Sequence, residues 1–147
     1  MTNARIEVVV QREPFDPAAL LPAGDGAAGA AVLFAGQVRA DDGLSEMEIE
    51  HWPGVTEARL RAFAEEAAER FGLIRVAVVH RHGALRPGET IMAVACTAPH
   101  RQAAFDGAGY LMDWLKSRAP FWKKERGAWG ERWVEAKPED EDALARW

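Results

Sequence analysis

The chain of 147 residues has a single cysteine, Cys96, so it can form neither an intrachain disulfide nor a thiolate-rich metal cage. It also lacks any stretch approaching the ~20 apolar residues needed to span a bilayer. The opening Met-Thr-Asn-Ala-Arg-Ile-Glu-Val-Val-Val holds only a short apolar run, broken by Glu7. Both absences predict a cytoplasmic protein in a reducing compartment, with no membrane partner. Positive charge is scarce as well: 18 Lys and Arg stand against 23 Asp and Glu, a formal net charge of -5. That balance argues against nucleic acid as a partner, because phosphate neutralisation by Lys and Arg supplies most of non-specific affinity.

With 48% hydrophobic residues, the chain can bury one substantial core and is too short for two ordinary domains. We therefore expect a single domain over residues 1–147. Arg5 to Gln11 reads as a strand, and Pro14 to Gly29 as a Pro, Gly and Ala-rich connection with one short helix after Asp16. Ala30 to Val38 is a second strand. From Ser45 to His51, Met47 and Ile49 alternate with Glu46, Glu48 and Glu50, the period of a half-buried strand. Leu60, Phe63, Ala64, Ala67 and Phe71 recur at helical spacing, with Thr56 as the expected N-cap.

Leu73 to Gly83 and Thr90 to Ala98 are β-rich runs, expected to be sheet neighbours joined by a turn at Pro87-Gly88. Arg101 to Leu115 returns to helical spacing, and Pro120 blocks easy continuation. Trp129-Gly130 marks a turn before a short strand from Arg132 to Glu135, and Pro138 with the acids after it opens a last helix. This order predicts an α+β fold with helices packed on a mainly antiparallel sheet, not a doubly wound parallel one.

Four features carry possible chemistry. Gly24-Asp-Gly26-Ala-Ala-Gly29 matches G-x-G-x-x-G, but it precedes a strand instead of opening a helix, so it reads as linker. His80-x-His82 places two imidazoles on one strand face, and His51 and His100 could join them around a metal. Ordinary histidines are the favoured reading, for want of a supporting carboxylate or Cys, and no metal is expected. Cys96 lies in the apolar run Ile91-Met-Ala-Val-Ala-Cys-Thr, where a free thiol packs as a small hydrophobe and has no neighbouring cation to activate it.

Lys116-Ser-Arg-Ala-Pro-Phe-Trp-Lys123-Lys124-Glu-Arg126 interleaves cations with aromatics in an acidic chain. A solvated basic face, a nucleic-acid stacking surface and an anion pocket all remain open for it. His100-Arg101 favours the anion pocket, because these residues stand where free backbone N–H groups at a helix start already attract an anion.

Phe34-Ala-Gly36-Gln-Val-Arg39, Glu50-His51-Trp-Pro53-Gly54, His80-Arg81, Pro87-Gly88-Glu89, His100-Arg101 and Asp113-Trp-Leu-Lys116-Ser-Arg118-Ala-Pro-Phe-Trp-Lys123-Lys124-Glu125 occur in that order. Together they resemble the molybdopterin synthase catalytic (large) subunit family, from about Ala30 to Arg146-Trp147. The resemblance implies an αβ-hammerhead-type fold and a homodimer at the centre of a heterotetramer. It also implies a small ubiquitin-like sulfur-carrier subunit, docked at each end, whose thiocarboxylate tail reaches into the large subunit. The implied activity is cofactorless sulfur transfer to cyclic pyranopterin monophosphate, completing the dithiolene of the molybdenum cofactor.

By the same resemblance Lys116 is the principal catalytic residue and Lys123 the second. Gln37, Val38, Arg39, His100, Arg101, Lys124 and Glu125 join the two lysines in substrate binding, with His100 and Arg101 serving the pocket of the opposite protomer. Gln37 departs from the Lys found in many relatives and contributes hydrogen bonds without charge. A non-catalytic adaptor for a ubiquitin-like protein, and a phosphate-ester or nucleotide-binding module, are the alternative readings of the same cations.

Overall fold

A computed structural model describes residues 3–22, 24 and 26–147. Two four-stranded sheets organise it. The first is built from β1 (Arg5–Gln11), β2 (Ala30–Gln37), β4 (Arg75–Arg81) and β6 (Thr90–Ala98), in the order β1-β4-β6-β2. β1 runs parallel to β4, and the other two pairings are antiparallel. The second is built from β3 (Leu44–His51), β5 (Gly83–Leu85), β7 (Phe121–Gly127) and β8 (Gly130–Trp133), all antiparallel in the order β5-β3-β7-β8. Helices α1 (Val55–Phe71), α2 (Arg101–Arg118) and α3 (Pro138–Ala143) complete the fold.

The first sheet is covered on both faces, which explains why β6 is apolar throughout. Val76, Val78, Val94 and Cys96 face the main core with Leu60, Ala64, Ala104 and Leu111 of the two long helices. Ala77, Ala93 and Ala95 point the other way, against Leu20 and Phe15 of the connection after β1. Small residues let α2 lie close: a Cβ on Gly107 would stand 2.7 Å from a Leu73 methyl.

Most expected elements are present, the α+β class among them, and three differ. Thr56 does not cap α1. Gly54 occupies that place, with its N–H donating to Glu57 Oε2 at 3.0 Å. Thr56 is instead buried inside the first turn, its hydroxyl donating to the Trp52 carbonyl and accepting from the Trp52 N–H.

The run expected as one strand from Leu73 to Gly83 is two strands in different sheets. Gly83 at φ +94° makes the break, a conformation that L side chains rarely adopt. Consequently His80 and His82 do not share a strand face. The basic segment, to which no element was assigned, supplies β7 in the middle of the second sheet. The G-x-G-x-x-G segment leads into β2 and opens no helix, with its Asp25 outside the described residues. Among the described residues no helix is long and apolar enough to cross a membrane.

Candidate active site

Lys116 and Lys123 come from different elements that meet at one joint. α2 ends at Arg118, the chain turns through Ala119 and Pro120 with Phe121 N–H donating to the Ala119 carbonyl, and β7 begins at Phe121. Lys116 is exposed on the last turn of the helix, and Lys123 is half-buried, two residues into the strand. Burial, and after it the Lys116 ammonium, pushes the Lys123 amine down to about 8. Asp140 and Glu125 oppose that effect, and Lys137 adds to it. Exposed Lys116 and half-buried Lys123 thus put two positive charges at one joint, each opposing the other's charged form.

Strand alternation sorts the neighbours of Lys123. Phe121 and Glu125 share its face of β7, whereas Lys124 belongs to the other face with Trp122 and Arg126. There Lys124 lies 4.7 Å from the centre of the Trp133 ring and 3.9 Å from Glu131, while Arg126 holds Glu46, Glu48 and Glu131. The Glu125 carboxylate accepts from Arg132 Nε at 3.1 Å. Lys124 and Glu125 therefore sit on opposite faces of the strand.

Gln37, Val38 and Arg39 lie at the Thr90 end of the first sheet, the end that also carries His80. Gln37 and Arg39 are exposed, and Arg39 pairs with Asp41 at 2.6 Å. Val38 has its side chain in the core, and its backbone N–H and carbonyl are both engaged, with Glu89 and Gly88. His100 and Arg101 are exposed at the start of α2, beside Ala98 and so at the opposite end of the same sheet. Lys116 lies 15 residues beyond Arg101 on the same helix, about 22 Å at 1.5 Å per residue. Within one chain these two residues do not join the lysines.

The other histidines have structural partners. His80 Nδ1–H donates to the Arg81 carbonyl at 2.7 Å, and the ring stacks on Phe121 with centroids 3.7 Å apart. His51 places Nδ1 3.1 Å from the Thr56 hydroxyl and its ring 4.4 Å from that of His82. Among the described residues no group of three His, Cys, Asp or Glu side chains is placed to hold a metal ion. Cys96 is fully buried, and burial pushes its thiol up to about 12. Sequence reasoning missed His80, Lys137 and Asp140 as neighbours of the lysines. His80 lies at the end of β4, and Lys137 and Asp140 arrive together at the start of α3, so nothing in their spacing from the lysines pointed to the site.

A family model described as MoaE protein matches residues 10–118. The molybdopterin synthase catalytic subunit of Cereibacter sphaeroides is 54% identical over 146 residues, covering 97% of this chain and 100% of the relative. The chain belongs to the MoaE family. With membership comes an enzymatic assignment in molybdenum cofactor biosynthesis. The solved MoaE protein of Burkholderia ambifaria is 45% identical and superposes with a TM-score of 0.82, each chain covered to 97%. The molybdopterin synthase structure from Staphylococcus aureus is 28% identical with a TM-score of 0.76, covering 88% of this chain and 96% of that one.

The MoaE fold thus holds Lys123 with a folded-state pKa near 8, against 10.5 for a free lysine. Between those values the unfolded chain binds more protons than the folded one, so stability rises with pH across that window. Melting temperatures of the parent and Lys123→Met, compared from pH 7 to 10.5, should show the parent gaining on the variant as pH rises. A constant difference between the two would contradict the lowered amine.

Proposed function

We propose that the chain is the catalytic subunit of a molybdopterin synthase. It moves sulfur from the thiocarboxylated C-terminus of a small ubiquitin-like carrier subunit to cyclic pyranopterin monophosphate. The observation that carries this reading is the convergence of Lys116 and Lys123 at the joint of α2 and β7, with Lys123 half-buried and its amine lowered. A thiocarboxylate and a cyclic phosphate are both anions, and bringing them together requires fixed positive groups that also stabilise charge developing in the transition state. An amine titrating near 8 can in addition give up and recover a proton near neutral pH. The curated relatives bear the name of one subunit of an assembly, which supports a small-subunit partner.

The separation of His100 and Arg101 from the lysines supports a homodimer with shared pockets. β2 is an outer strand of its sheet, and its sequence Ala-Ala-Val-Leu-Phe-Ala-Gly-Gln carries no charge. Natural edges of that kind are normally guarded by charge or proline, or else paired. Phe34, 42% exposed, and Phe105 of α2, 58% exposed, add apolar area beside it. β2 begins next to the start of α2 and ends at Gln37, so an antiparallel two-fold contact along it brings the second copy's His100 and Arg101 to this copy's Arg39 end.

Lys116→Ala should abolish dithiolene formation from cyclic pyranopterin monophosphate and thiocarboxylated carrier while leaving fold and carrier binding intact. The side chain is exposed, so its truncation opens no cavity. Normal turnover by the folded variant rules out the assignment. Phe34→Lys should shift light scattering from dimer to monomer and weaken substrate binding, because each pocket loses the second copy's cations. A dimeric, fully active Phe34→Lys protein would remove the β2 contact. Cys96→Ser should lose some thermal stability, about 1–3 kcal/mol if the buried hydroxyl finds no partner, yet keep its activity per folded molecule. Loss of activity in folded Cys96→Ser, with a sulfane sulfur on the parent's Cys96, would place the sulfur source in this chain.

A further inference from the structure

His80 is buried at the end of β4, on the face of the first sheet that carries Val76 and Val78 towards the helices. Its Nδ1–H is committed to the Arg81 carbonyl, which can only accept, so the ring orientation is set by its own backbone. The flat face of that ring lies on Phe121 with an interplanar angle of 13°. Phe121 is the first residue of β7, at the joint where α2 hands over to the strand. Lys116 stands five residues before Phe121 and Lys123 two after, so both lysines hang from the residue that His80 holds.

The ring's own anchorage is firm. Arg81 Nε donates to the Arg12 carbonyl at 2.9 Å, and one Arg81 terminal nitrogen reaches Glu89 at 3.2 Å and the Thr90 carbonyl at 3.4 Å. These bonds tie the end of β4 to the chain after β1 and to the start of β6.

We propose that His80 is a positioning residue for the lysine pair: its imidazole, clamped on Phe121, fixes the angle between α2 and β7 and with it the spacing of Lys116 and Lys123. Charged and titratable groups face the ring from three elements, Lys123 of β7, His51 of β3 and Lys116 of α2. Burial first, and the charges on Lys123 and Lys116 as well, push the imidazole down to about 3 against the pull of the Arg81 carbonyl. The ring therefore stays uncharged and adds no third positive charge beside the lysines.

The test reads Lys123 directly and without substrate. Acylation of Lys123 by a small amine-reactive ester is followed against pH by peptide mass spectrometry in the parent, His80→Ala, His80→Leu and His80→Phe. Lys116, Asp140, Lys137 and Glu125 surround this amine and are unchanged in every variant. In the parent the midpoint is expected near 8. Removing the stack in His80→Ala lets β7 relax away from α2 and admits water, so the midpoint climbs by about one pH unit and acylation at pH 7 falls about tenfold. His80→Phe keeps a flat ring against Phe121 and should hold the parent's midpoint.

His80→Leu fills the volume without a flat face and is read in place of Ala if the Ala protein does not fold. A folded Ala or Leu variant with the parent's midpoint overturns the role, and so does a Phe variant that shifts as far as they do. A purely structural role would lower the melting temperature and leave the Lys123 midpoint where it is. The role takes its catalytic meaning from the lysine assignment above. Because no turnover is measured, failure of the sulfur-transfer reading and failure of the His80 role remain distinguishable.

Discussion

Holding two ammonium groups together is the constraint on which the site depends. Lys116 and Lys123 repel, and around half-buried Lys123 water screens that repulsion less than it does at the surface. The effect is visible in Lys123, whose amine is lowered by burial and then by Lys116. A pair like this does not assemble by itself, so the backbone must impose it. α2 is fixed along its length by Ala104, Ala108 and Leu111 in the core, and β7 is fixed by its ladders to β3 and β8. The short turn at Ala119 and Pro120 leaves little freedom between them, and the lysines inherit that rigidity.

Charge balance across the second sheet follows from the same need. On one face of β7 the cations Lys124 and Arg126 are matched by Glu46, Glu48 and Glu131. On the other face the Glu125 carboxylate already accepts from Arg132, so it gives Lys123 only partial compensation. Neutralised cations surround an incompletely neutralised pair, which concentrates the positive potential at the joint within a chain of net charge -5. That contrast is a local property and could not be read from composition, where acids outnumber cations.

Much of the fold was legible in the sequence because burial wrote it there. β3 alternates cleanly, α1 and α2 carry apolar residues at helical spacing, and β6 is apolar on both faces because both faces are covered. β7 was hidden for the opposite reason. Phe121, Lys123 and Glu125 on one face, and Trp122, Lys124 and Arg126 on the other, show no apolar alternation, since ionic pairs and aromatic contacts stabilise both faces. The break at Gly83 was equally hard to see, because the β-rich run on either side of it gives no sign of the change of sheet that one left-handed glycine makes possible. Thr56 looked like a cap by residue type, and burial decided otherwise.

The candidate site divides along similar lines. Resemblance picked out Lys116 and Lys123 from a contiguous motif, and the structure brings them to one joint. His80, in contrast, entered as a possible metal ligand and as part of the His80-Arg81 motif, with no role at the lysines, since a sequence shows the chemistry of an imidazole but not the ring it lies on. Its partner Phe121 lies in the quoted motif, 41 positions away, and nothing in the chain between them signals a contact.

On the proposed reading, an anion that meets Lys116 and Lys123 changes the protonation of the pair. An anion placed between Lys116 and Lys123 favours the charged form of Lys123, so its arrival must draw the Lys123 amine back towards the 10.5 of a free lysine. By linkage, the same anion binds more tightly as Lys123 becomes protonated, and binding carries proton uptake with it near pH 8.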